Sequence, residues 1–198
     1  MNPNQKNIQA VLDLSSAADV AEGLAWYRTA CNAAFELSLR YSITVSTACG
    51  VIAALSPRNK WKRNLLDAEN LISVYVSAGE KACKDVKVST FGKMKAKALA
   101  ILASDTCDLD SIESILSGPK LKEFFRCIMG QEDVTIDGHA YSIWFGDRVT
   151  LANVPSIGVK LRRQIKSDYL AVARANDLTG YEVQAITWVC HRRLHSVA

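Results

Sequence analysis

Apolar residues recur at spacings of three and four along almost the whole chain, and runs that alternate apolar with polar are few. Three to four is the helical period and two is that of a strand, so the pattern predicts an all-α chain. "SAADVAEGLAWYRTACNAAFELSLRY" reads as one or two amphipathic helices, and a further helix beginning near Pro57 runs to "ISVYVSAG". Within it Trp61, Leu65, Ala68 and Ile72 follow at four, three and four residues, which puts them on one buried face and marks Trp61 as core. "DLDSIESILSG" carries Asp108 or Asp110 as an N-cap and Gly118 as the stop, and "SDYLAVARAN" and "YEVQAITWVCHRRL" supply the last helices. All four prolines fall at plausible element starts or turns.

No repeat, low-complexity tract or long linker interrupts this pattern. With 198 residues, 49% hydrophobic and 22% charged, it suits one compact body or two tightly joined lobes, and a monomer is expected. Met1 is followed by the polar run "NPNQKN", and no apolar stretch approaches the roughly 18 residues that cross a bilayer, so a cytoplasmic protein without a membrane partner is expected. Cys31, Cys49, Cys83, Cys107, Cys127 and Cys190 are scattered, with no CxxC and no neighbouring histidine pair, which indicates neither a zinc site nor an iron–sulfur cluster. His191 and His195 stand at i and i+4, a spacing that holds metals, but no carboxylate accompanies them. A frayed basic C-terminus is expected there, and no metal.

The net charge of +4 is modest, yet the positive residues are bunched. Arg58, Lys60, Lys62 and Arg63 form one cluster without an acid. Lys81, Lys84, Lys87, Lys93, Lys95 and Lys97 form a second against Asp85 alone, and Lys160, Arg162, Arg163 and Lys166 a third. Acids gather elsewhere, at Asp105, Asp108, Asp110 and Glu113, so one surface can be strongly positive and suited to a polyanion. Each cluster by itself also reads as an ordinary solvated helix face. Arg58 and Lys62, at i and i+4, share a face that would meet phosphate.

Residues 117–144, "SGPKLKEFFRCIMGQEDVTIDGHAYSIW", join a glycine turn, a lysine, an amphipathic segment and one aspartate between Ile136 and Gly138. In order, Leu116, Gly118-Pro119-Lys120 and Ile136-Asp137-Gly138-His139 resemble the helix-hairpin-helix DNA glycosylase superfamily, in which a Gly-x-Lys element opens a helix and an apolar-Asp-x-His segment follows a loop. Lys120 precedes Asp137 by 17 residues. Upstream, "IAALSPRNKWKRNLLDAENLI" is similar to the superfamily's "LSQQT" helix at Leu55-Ser56, with Pro57 and Arg58 where glutamines often stand. "FGKMKAKALAI" is similar to its basic helix at Lys97, Ala98 and Ile101. The hairpin lacks the second glycine of a full "PGVG" turn, and the cysteine cluster of the endonuclease III branch is absent. The ending at Gln184 to Trp188 resembles a small bacteriophage group of such proteins, which would place the chain in a host cytoplasm.

The resemblance implies two helical lobes with a cleft between them: one of about residues 1–50 and 147–198, the other of about 51–146 containing a hairpin-like element at 112–128. It implies cleavage of an N-glycosidic bond in DNA with no cofactor. Asp137 would stabilise the positive sugar of the transition state, and Lys120, as an amine nucleophile, would add lyase activity. Phosphate contacts would come from Arg58, Lys60, Lys62, Lys93, Lys95, Lys97, Gly118 and Lys122 on duplex DNA, and an extruded base would meet His139, Tyr141 and Trp144. From the residues alone Asp137 reads first as a helix cap and Trp144 as a core residue, Lys120 reads equally as an exposed first-turn lysine, and His139 also reads as a helix-start histidine. Two other functions fit the same features: a DNA-binding module of this fold without the chemistry, and an enzyme that modifies a hypermodified base without cutting its bond.

Overall fold

The computed structural model describes residues 1–150 and 152–195, and these contain ten α-helices and no strand. The chain is all-α, as its periodicity predicts. In order the helices are α1 (Pro3–Asp13), α2 (Ala17–Tyr41), α3 (Val45–Leu55), α4 (Trp61–Ala82), α5 (Gly92–Leu102), α6 (Leu109–Leu116), α7 (Pro119–Ile128), α8 (Gly138–Phe145), α9 (Val159–Ala175) and α10 (Gly180–Leu194). No single helix among the described residues is long and apolar enough to cross a membrane. Contacts divide the chain into two compact units, Met1–Thr29 with Gly130–Ala198 and Ala30–Met129, so the boundary runs through α2.

The first unit gathers α1, α8, α9 and α10 around Ile8, Val134, Ile136, Tyr169, Val172 and Val183, all fully buried. Each such aliphatic side chain contributes roughly 1.5–3 kcal/mol by leaving water. Local chemistry starts these helices. Asn2 and Gln5 form a capping box with Pro3 at the first turn of α1, and Thr179 and Glu182 form another on α10. Polar groups are buried here as well, and one of them ties helices together. The Asp168 carboxylate of α9 accepts hydrogen bonds from Asn2 Nδ2, Gln5 Nε2 and Trp144 Nε1, each at 2.8 Å, and so fastens α1 and α8 to α9. Three donors on one buried carboxylate replace the water it has lost.

The second unit is built on α3, in which every residue from Thr47 to Leu55 is buried and which packs against α4, α5, α6 and α7. Gly50 lets α3 approach closely, because a Cβ there would stand 2.7 Å from Ile112 Cγ2. The segment read as a helix from Pro57 differs from that expectation. α3 ends at Leu55, residues 56–60 form a turn with Arg58 at φ 54, and α4 starts only at Trp61. Arg58 is therefore not one helical turn from Lys62. The buried face of α4 is Asn64, Asp67, Ala68, Leu71 and Ile72, while Trp61 and Leu65 are half-buried. Apolar spacing alone misses Asn64 and Asp67 because both are buried as hydrogen-bonding groups: Asn64 Nδ2 donates to Ile52 O at 3.0 Å, and Asp67 accepts from the Ser89 N–H at 2.6 Å. α4 is kinked at Gly79, φ 78, where the sequence suggested a stop.

The unit boundaries, 29/30 and 129/130, lie earlier than the sequence positions near 50 and 146. Residues 130–146 join the first unit because Val134, Ile136 and Ile143 belong to its core, and α3 joins the second through its four neighbours. Cys49, Cys83, Cys127 and Cys190 are buried, Cys31 is half-buried and Cys107 exposed.

Candidate functional site

The buried side chains of Val134 and Ile136 anchor the approach to α8, and Arg162 Nη1 donates to the Ile136 carbonyl at 3.1 Å. The next residue is Asp137, half-buried, with extended φ −122 and ψ −168. Its Oδ1 accepts from the backbone N–H of His139 and of Ala140, both at 3.0 Å, so Asp137 is the N-cap of α8. The carboxylate is thereby fixed in direction at the positive end of the helix. It also lies in the electrostatic reach of Tyr169 and His191. The Tyr169 hydroxyl donates to Ala140 O at 3.3 Å, and burial pushes its pKa up, with Asp137 adding to the same direction.

The chain's three histidines meet beside this cap. The ring of His139 stands 5.6 Å from that of His191, which stands 4.4 Å from that of His195. His191 is only 6% exposed, and its Nδ1 is buried without a hydrogen-bond partner among the described residues. The frayed terminus expected at His191 is thus corrected: the residue packs inward because α10 continues to Leu194 against α8. No three His, Cys, Asp or Glu side chains among the described residues form a metal-binding set.

Burial pushes the His191 ring down to about 4, the electrostatic effects of His195, His139 and Arg148 act in the same direction, and Asp137 opposes them. His191 is neutral near pH 7. A ring that titrates near 6.5 in the unfolded chain and near 4 in the folded one makes the unfolded chain the better proton binder between those values. Stability therefore falls as pH drops below about 6.5 and levels off below about 4. The expected loss is about 2 kcal/mol, less than the full shift implies because the neighbouring His195 edge is partly solvated. Urea midpoints measured from pH 7 to pH 4 check this, and His191→Leu should flatten that part of the profile.

The other residues of the expected base pocket lie in α8. Tyr141 is 8% exposed and stacks on Phe145 at 5.7 Å, and Trp144 is a core residue whose ring N–H is held by Asp168. Nearby, the buried Tyr27 hydroxyl bonds to both Gln184 Oε1 at 2.7 Å and Thr135 Oγ1 at 2.8 Å. Both oxygens accept from the Tyr27 O–H, which has a single proton to offer them.

Every residue expected to touch phosphate belongs to the second unit, as does Lys120, whereas Asp137 belongs to the first. Arg58, Lys60, Lys62, Lys93 and Lys120 are exposed, and Lys122 is half-buried. Lys95 and Lys97 are engaged within the unit. Lys95 Nζ donates to Lys84 O at 2.9 Å and Val86 O at 2.6 Å; Lys97 Nζ donates to Ile115 O at 3.0 Å and to the Ser117 hydroxyl. These bonds satisfy carbonyls at the loop before α5 and at the end of α6. The hairpin between α6 and α7 is two residues, Ser117 at φ 27 and Gly118 at φ 96, with Pro119 opening α7 and Lys120 in its first turn.

Sequence reasoning missed the histidine cluster, Asp168 and Tyr169. The only signal was that two of three histidines share a face of the last helix; nothing local places them against His139, 52 residues earlier. No curated protein and no solved structure matches the chain. Residues 1–195 match the family of unknown function DUF7178, and the chain belongs to that family.

Proposed function

We propose that this chain is a DNA glycosylase-like enzyme that removes a damaged or modified base from DNA, with Asp137 as the residue that stabilises the sugar cation. The observation that carries this reading is the Asp137 carboxylate, held at the start of α8 by two backbone N–H bonds on one oxygen. Breaking an N-glycosidic bond leaves positive charge on the sugar, and a pre-oriented carboxylate lowers that barrier without reorganising during the reaction. The order of elements agrees with it: α6, a two-residue hairpin, α7 with Lys120 in its first turn, a loop, and the aspartate cap. With the amines of Lys95 and Lys97 turned to internal carbonyls, the phosphate grip falls to Arg58, Lys60, Lys62, Lys93 and Lys122.

The test is direct. Purified protein is incubated with duplexes carrying a panel of damaged and modified bases and then with alkali, which cuts the strand at any abasic site. Cleavage on at least one base supports excision, and borohydride trapping of a protein–DNA adduct that Lys120→Gln abolishes makes Lys120 the Schiff-base nucleophile. Cleavage without an adduct leaves a monofunctional enzyme. No cleavage on any base, with duplex binding intact, removes the enzymatic reading and leaves the DNA-binding module.

A further inference from the structure

Two loops of the second unit are tied together around one buried carboxylate. The side chain of Asp67 is fully buried, and it accepts from Asn59 Nδ2 at 3.0 Å, Arg63 Nε at 2.8 Å and the Ser89 N–H at 2.6 Å. The Thr90 hydroxyl donates to Pro57 O at 2.7 Å, and the Asn59 N–H to Ser56 O at 3.1 Å. Residues 56–59 and 89–90 are thus locked to each other and to α4.

What this frame presents is an aromatic ring with cations around it. Phe91 follows Thr90 and is 43% exposed. The Arg58 guanidinium lies 5.4 Å from its ring centroid and the Lys93 ammonium 5.9 Å. Both cations are exposed, as is Lys60. Arg58 stands at φ 54, a conformation that asparagine or glycine adopts far more readily. Segments 56–63 and 86–97 contain no acid, so no carboxylate of their own competes for these cations. Phe91 draws Arg58 and Lys93 to it by cation–π attraction, yet much of the ring stays in water beside that positive charge.

We propose that Phe91 is a stacking surface for an unpaired base of single-stranded DNA, with Arg58, Lys60 and Lys93 contacting the phosphates on either side. Bases present a π-face to such a ring only when they are out of the duplex, and the backbone beside them supplies the negative charge that the cations complement. Arg58 and Lys93 lie 5.4 Å and 5.9 Å from the ring centroid, so one strand meets stacking and charge together. Asp67 is a positioning residue: it touches no ligand and sets the two loops. This inference rests on the nucleic-acid part of the function proposed above and not on base excision.

The test is fluorescence anisotropy of a labelled oligothymidylate of about ten nucleotides, a span that such small sites cover. Phe91→Ala should weaken binding roughly five- to a hundredfold with an unchanged salt slope, because stacking involves no counterion release. Phe91→Trp should restore it. Lys93→Gln should lower the slope of log affinity against log salt by about 0.7, the value for one phosphate of a single strand. A fully paired blunt duplex should respond to Lys93→Gln but hardly to Phe91→Ala. The proposal fails if Phe91→Ala binds the oligonucleotide as wild type does, if it weakens strand and duplex alike, or if the wild-type protein binds no single strand at low salt. Its fate is separable from that of excision. Phe91-dependent strand binding without base release leaves the stacking surface standing and removes the enzyme, while base release with a Phe91→Ala affinity equal to wild type does the reverse.

Discussion

On the proposed base-excision reading, Asp137→Asn is expected to leave the protein folded and DNA-bound while slowing base release roughly a hundred- to a thousandfold, the range seen when one pre-oriented stabilising group is lost. An asparagine Oδ1 can accept the same two N–H bonds from His139 and Ala140 that hold the carboxylate now, and asparagine ranks with aspartate as an N-cap. Its melting temperature should therefore stay close to that of the wild type. Only the charge that the proposal sets against the sugar is removed. Asp137→Ala is the informative contrast: it loses cap and charge together and should cost about 1 kcal/mol of stability besides the activity. Single-turnover release under saturating enzyme reads the chemical step. A second readout comes from His191, whose ring Asp137 favours in the protonated form, so removing that charge should push its pKa lower still. If Asp137→Asn releases base at the wild-type rate, the aspartate is a cap and nothing more.

What the sequence could show and what it could not divides along a physical line. Helices, and caps whose partner lies two or three residues away, were legible: Asp108 accepts from Ser111 N–H, Gly118 ends the α6 segment, and Asp137 caps α8. These are local hydrogen bonds written in local residue order. Groups buried by distant partners were not legible. Asp168 is satisfied by Asn2, 166 residues away, and by Gln5 and Trp144; Asp67 is satisfied by Ser89; His191 rests on His139. A periodicity argument ranks residues by hydrophobicity and so assigns such groups to the surface. The same blindness moved the start of α4, because a turn at 56–60 held by Asn59 and Asp67 carries helix-compatible residues. In the candidate site the aspartate was found by its motif, and the histidine cluster beside it only by the fold.

Gly23→Ala should destabilise the protein by about 3 kcal/mol, the upper end of what an inserted methyl costs in a packed interior. Glycine in mid-helix ordinarily weakens the helix by about 1 kcal/mol relative to alanine, so propensity predicts the opposite sign. Packing decides the outcome. A Cβ on Gly23 would lie 2.5 Å from Ile186 Cα, 2.6 Å from Ile186 N and 2.6 Å from Ile186 Cγ1, contacts that require α2 and α10 to move apart. Two of the three atoms are backbone, so Gly23→Ala with Ile186→Ala should remain nearly as unstable as Gly23→Ala with Ile186 retained. A side-chain clash would instead be relieved. The movement has a local consequence on the same two helices, where Tyr27 donates to Gln184 at 2.7 Å and the Trp26 ring stands 5.8 Å from that of Trp188. Gly23→Ala should then shift the tryptophan emission even in the folded fraction. Gly92→Ala is the control, since a Cβ there meets nothing within 4 Å, and it should be neutral or slightly stabilising. Urea denaturation of all four proteins, wild type included, reads the result. Equal stability of Gly23→Ala and Gly92→Ala would mean that α2 and α10 do not cross backbone to backbone at this position.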